Sequence, residues 1–148
     1  MTTFIDENGN KLTLHQAVED GNLNLVKEMI EQGYDVNEPD EYEQTPLHIA
    51  AGHPNGRSLN MALIVRELIK GGAELNLKDD RGATPLHSAV DFANMTGYLD
   101  IVKELLEAKA DPNIRMDAGN TPLRLVNERN TSHTAQVAEL LEKFGGQM

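Results

Sequence analysis

The sequence predicts an all-α repeat solenoid, and three recurring patterns carry the prediction. The hexamer Thr45-Pro46-Leu47-His48-Ile49-Ala50 returns as Thr84-Pro85-Leu86-His87-Ser88-Ala89 and as Thr121-Pro122-Leu123-Arg124-Leu125-Val126, with a degenerate copy at Leu12-Thr13-Leu14-His15-Gln16-Ala17. A second pattern follows each copy: Leu25-Val26-Lys27-Glu28-Met29-Ile30, Ile64-Val65-Arg66-Glu67-Leu68-Ile69, Ile101-Val102-Lys103-Glu104-Leu105-Leu106 and Gln136-Val137-Ala138-Glu139-Leu140-Leu141. A third closes three of the units, at Asp35-Val36-Asn37, Glu74-Leu75-Asn76 and Asp111-Pro112-Asn113. Motifs returning in fixed order describe units that bury their apolar faces only by stacking.

Each element has a local reason. Thr45, Thr84 and Thr121 precede proline, so the threonine can cap a short helix while the proline occupies its first turn, where a missing N–H costs nothing. The second pattern sets apolar residues at helical spacing, as in Leu25, Val26, Met29 and Ile30, and predicts a longer helix with Lys27, Glu28 and Glu31 outward. Gly33, Gly72 and Gly145 stand where a helix ends in the left-handed conformation, and Lys109 takes that place in the third unit. Polar connectors follow at 37–44, 76–83 and 113–120. Gly82 and Gly119 lie two places before the threonine in the last two, and Glu43 replaces that glycine in the first.

These motifs resemble the ankyrin-repeat family across residues 12–146, and the chain reads as one domain, 1–148, with repeats at about 12–44, 45–83, 84–120 and 121–148. The resemblance implies that each connector is a hairpin-like finger projecting at right angles to the helices. It also implies that protein partners are bound at finger tips and on the exposed side of the short helices. Carried over position by position, this points to Glu41, Tyr42 and Gln44, then Asp80, Arg81 and Ala83, then Asp117, Ala118 and Asn120 in the fingers. At the ends of the short helices it points to Glu19 and Asp20, Gly52 and His53, Asp91 and Phe92, and Asn127 and Glu128.

Relative to the first unit, the later ones carry six, four and three extra residues between their two helices. These fall around 52–57, 93–96 and 130–132, and would emerge on one edge of the stack. They read either as an enlarged recognition rim or as tolerated loop growth.

Charge narrows the partner. The 148 residues hold 24 acids against 13 bases, a formal net charge of −11. Residues 1–50 carry eleven acids and two bases, −9 of that total. Such a balance argues against the basic stripe that nucleic acid requires, and an acidic face either draws a basic protein partner or simply keeps the protein in solution. Glu38, Asp40, Glu41 and Glu43 crowd the first finger, with Glu19, Asp20, Asp79, Asp80 and Asp91 expected on the same surface. Aromatic Tyr42 and Phe92 are candidate anchors within it. The candidate partner-binding set is therefore Glu19, Asp20, Glu38, Asp40, Glu41, Tyr42, Gln44, His53, Asp80, Arg81, Asp91, Phe92 and Asp117.

Catalysis is not expected. With no cysteine there is no disulfide, thiolate metal site or cysteine nucleophile. His15, His48 and His87 repeat once per unit, which reads as structural hydrogen bonding between neighbouring fingers, and His53 and His133 fall in the insertions as solvated residues. Asp6-Glu7-Asn8-Gly9-Asn10 begins like a calcium loop, but glycine is at the fourth rather than the sixth place and Ala17 stands where the bidentate glutamate belongs. No cofactor or metal is expected. No apolar run of membrane-spanning length occurs, and the polar, acidic start differs from a signal peptide, which predicts a cytoplasmic chain, monomeric when free. The function that fits is a non-catalytic module binding a basic protein, as an inhibitor or immunity-type protein. The alternative is an adaptor or delivered effector that binds a host or regulatory protein through the inserted loops.

Overall fold

The computed structural model describes residues 3–53, 59–91, 98–129 and 131–148. Within them, eight helices follow in order: α1 (Leu14–Glu19), α2 (Leu23–Glu31), α3 (Pro46–Ala51), α4 (Leu59–Lys70), α5 (Pro85–Asp91), α6 (Tyr98–Glu107), α7 (Pro122–Arg129) and α8 (Ser132–Lys143). The described residues contain no strand, only an isolated bridge between Ile5 and Lys11. Short helices α1, α3, α5 and α7 pack in one row, and α2, α4, α6 and α8 in a second row behind them. The core runs between the rows through Leu14, Met29, Leu47, Ile64, Leu68, Leu86, Ile101, Leu105 and Leu141, all fully or almost fully buried. The Tyr98 ring is also buried, and its hydroxyl donates to the His53 carbonyl.

The caps form as the sequence predicts, with one shift. Thr45 accepts the His48 amide, and the His48 ring accepts the Thr45 N–H in return at 3.1 Å, a reciprocal capping box. In the first unit the helix begins one residue later relative to its histidine. Thr13, standing where the other units have proline, caps it with Gln16 as the reciprocal partner. The left-handed helix ends also stand where expected: φ is 86° at Gly33, 98° at Gly72, 86° at Gly145 and 74° at Lys109.

Each unit is tied to the next by an asparagine. Asn37 donates to the Gly72 carbonyl and accepts the Glu74 N–H, and Asn113 repeats both contacts with Gly145 and Gln147. Asn76 accepts the Asp111 N–H in the middle junction.

Two expectations about the insertions change. The extra residues of the fourth unit are taken up largely by helix, because Thr131 caps α8 and Ser132 is its first residue; His133 is thus an exposed helix residue. α4 likewise begins five residues ahead of Ile64, against two ahead of Leu25 for α2, so its helix absorbs part of the longest insertion. The stretches 54–57 and 93–96, with Phe92, lie outside the described residues. No described helix is long and apolar enough to cross a membrane.

Candidate functional site

The connectors are built by one repeated turn. In the first, the Asp40 N–H donates to the Gln44 carbonyl and the Glu43 N–H to the Asp40 carbonyl, while Asp40 Oδ1 accepts the amides of Tyr42 and Gln44, both at 2.8 Å. The second repeats every contact, with Asp79 Oδ1 accepting the amides of Arg81 and Ala83 at 2.9 Å. The third keeps the backbone bonds with Met116 in place of the aspartate, and Arg115 Nη1 braces the Gly119 carbonyl at 2.8 Å. An aspartate whose side chain holds two following amides makes such a turn stiff without help from neighbours. The turn imposes φ near +60 to +90° on its fourth residue: Gly82 at 75°, Gly119 at 86° and, despite its side chain, Glu43 at 59°.

Residues 6–10 form this same turn. Asp6 Oδ1 accepts the Asn8 and Asn10 amides, the backbone bonds match, and Gly9 has φ of 82°. Hydrogen bonds from the Asn10 side chain and backbone hold the Asp6 carboxyl below the usual carboxylate range. The segment that reads as a failed calcium loop is thus a fourth finger ahead of α1. The aspartate and glycine three apart, shared with 79–82, are the signal that could have revealed it. An extra residue between this turn and His15 hid the match.

Fingers are bonded to one another and to the helices. The Asp80 N–H donates to the Tyr42 carbonyl, and the Asp117 N–H to the Arg81 carbonyl, at 3.0 and 3.1 Å. The repeated histidines hold the base of the following finger: Nε2 of His15, His48 and His87 donates to the carbonyls of Gln44, Ala83 and Asn120 at 3.0, 2.9 and 3.0 Å. They therefore link a helix start to the next finger rather than finger to finger. Burial pushes His48 and His87 below the ordinary histidine value. Both are accordingly neutral at neutral pH, with the proton on Nε2 and Nδ1 accepting inside the cap.

Asp79 is a correction. It faces inward, with its side chain fully buried, and does not join the acidic surface. Burial would raise its carboxyl, but the amides of Ala83 and Arg81 and the Arg81 guanidinium at 3.2 Å hold it below the usual range. Asp40 is half-buried, with Oδ1 engaged by its own turn. Glu38, Glu41, Tyr42, Asp80 and Asp117 are exposed, and Tyr42 shows 55% of its surface.

A groove of about 520 Å³ lies between the finger bases and the ends of α1, α3 and α5. It brings together Glu19, Gln44, His53, Arg81 and Asp91 from the predicted set. Ile49, Gly52 and Ser88 also line it, and the chain approaches itself closely there: a Cβ on Gly52 would stand 3.1 Å from that of Ser88. Asp20 is exposed beside Glu19, as the C-cap of α1. His53 is half-buried rather than solvated. Asp91 is bound by Arg129 at 2.7 Å, and Arg81 by Asp79, so both charges are compensated. Among the described residues, no group of three or more histidine, aspartate or glutamate side chains could hold a metal ion.

The family model of ankyrin repeats in three copies matches residues 14–116. The chain belongs to the ankyrin-repeat family. Ankyrin repeats indicate a protein–protein interaction module. It is similar to the ankyrin repeat protein FPV232 of fowlpox virus (strain NVSL), 52% identical over 44 residues, 30% of this chain and 9% of that protein. It is also similar to FPV223 of the same virus, 38% identical over 55 residues, 37% of this chain and 39% of that one. Protein phosphatase 1 regulatory subunit 27 of Homo sapiens is 48% identical over 44 residues, 28% of this chain and 29% of that protein. The matches thus span well under two thirds of each relative.

Proposed function

We propose that this ankyrin-repeat chain is a non-catalytic module that binds a basic protein through its finger turns and groove, acting as an inhibitor of the immunity-protein kind. One observation carries the reading: Glu41, Asp80 and Asp117 occupy the same exposed place on three successive turns, beside the exposed Tyr42 ring. Like charges held in a row by rigid turns repel one another in the free protein and draw a cationic partner from solution. A rigid aromatic among them supplies apolar contact area at little entropic cost. The likeness to a protein named as a regulatory subunit agrees with binding rather than catalysis.

The test is capture from native lysate by the wild type and by a Tyr42→Ala, Glu41→Lys, Asp80→Lys variant of equal thermal stability. A basic protein retained by the first and lost by the second supports the reading, and inhibition of that protein is then the assay for the finer role. Equal retention by both moves the site to the inserted segments and favours the adaptor or effector reading.

A further inference from the structure

The repeat places an acid four residues after the first-helix histidine in two units: Glu19 after His15, and Asp91 after His87. Both line the same groove, at the ends of α1 and α5. Asp91 already has a cationic partner from within the chain. Arg129 of the next unit sends Nη2 to Asp91 Oδ1 at 2.7 Å and Nη1 to the Asp91 carbonyl, so one guanidinium satisfies both a carboxylate and the helix's terminal carbonyl. Counting from the histidine position, the residue that corresponds to Arg129 in the unit after Glu19 is His53. Its imidazole is shorter and carries no fork of donors. Among the described residues Glu19 has no hydrogen-bonded or ion-paired partner.

We infer that the Glu19 end of the groove receives an arginine side chain of the protein partner, its guanidinium on the Glu19 carboxylate and its methylene stem over Ile49 and Gly52. This deepens the basic-partner reading and rests on it. The complex repeats in trans the contact that Arg129 makes with Asp91 in cis. An arginine fits better than a lysine for the same reason as at Asp91: its planar fork holds donors for carboxylate and carbonyl in a fixed geometry, whereas an ammonium is a compact point charge. Its aliphatic stem covers the apolar floor that a bare cation would leave wet. The surrounding charge favours it, since Arg81 and Arg129 are each held by an aspartate and Asp20 adds a further carboxylate beside Glu19.

The test uses hexa-arginine amide and hexalysine amide as probes of the full chain, read by amide NMR shifts and titrated affinity, with the Glu19→Gln and Glu41→Gln variants. Each variant removes one exposed acid and leaves the core untouched. The expected result is that hexa-arginine shifts the amides of Glu19, Ile49 and Gly52, and that Glu19→Gln weakens it about tenfold while Glu41→Gln weakens it less than about twofold. Hexalysine should shift the finger amides and leave the groove nearly unmoved. Hexa-arginine shifts confined to the fingers, or equal weakening by the two variants, overturn the inference and leave the basic-partner reading standing. Failure of both peptides to bind anywhere overturns both.

Discussion

Two side chains occupy backbone that suits glycine, and each defines a measurable strain. Lys109 ends α6 at φ 74° and Glu43 turns the first finger at φ 59°, where the other units place Gly33, Gly72, Gly82, Gly119 and Gly145. A Cβ in the left-handed region meets the following carbonyl, at a cost of about 1–2 kcal/mol. Lys109→Gly should therefore stabilise the protein by about 1 kcal/mol, raising the melting temperature by roughly 3 °C for a chain of this size. Glu43→Gly should do the same and also thin the acidic first finger. A lower melting temperature for Lys109→Gly would mean that the lysine stem makes packing contacts outweighing its backbone strain. Lys109 was legible in the sequence because its place relative to the helix pattern is fixed. The inward-facing Asp79 was not, because Asp79 and Asp80 are adjacent acids and only the turn geometry decides which carboxylate holds the loop and which meets solvent.

At the scale of an element, each short helix fixes the next finger through one neutral ring. His48 and His87 close their own helix caps with Nδ1 and hold the following finger with Nε2, so a proton on Nδ1 turns the cap's acceptor into a donor facing the threonine N–H. Both folded values lie below the ordinary 6.5. The neutral form is thus the one the fold prefers, and its stabilisation is present above about pH 6.5 and lost as pH falls toward the folded values, by at most about 1.4 kcal/mol per pH unit for each ring. Denaturant unfolding at pH 7.5, 6.5 and 5.5 should show that decline in the wild type and a shallower one in a His48→Gln, His87→Gln variant. Gln16 already performs the capping half of this role in the first unit, so the variant should keep its caps while losing the finger bonds. Identical slopes would place the pH dependence elsewhere. The helices and caps were legible because periodicity and Thr-Pro act locally. The finger at 6–10 was not, because an extra residue shifts it against the repeat, and the growth of α4 and α8 into their insertions follows from caps such as Thr131 that sit inside segments reading as loop.

For the whole molecule, stacking joins the turns at 40–44, 79–83 and 116–120 into one surface. The asparagine ties and the finger-to-finger bonds hold successive turns in register, and the acids at their tips stand in a row with no single unit able to supply it. The family resemblance put Glu41, Asp80 and Asp117 at matching finger positions, while the acidic surface expected from charge wrongly included the buried Asp79. The groove was not predictable, because it depends on how closely α3 and α5 approach at Gly52 and Ser88. We propose that this surface captures its partner electrostatically. Such capture is tested most directly by the dissociation constant of the captured partner at low and at physiological ionic strength, for the wild type and the Glu41→Lys, Asp80→Lys variant. The wild type should lose at least about tenfold in affinity across that range, mainly through slower association, and the variant should show a small salt dependence. Wild-type affinity that is insensitive to salt, or equal in the two proteins, would contradict it.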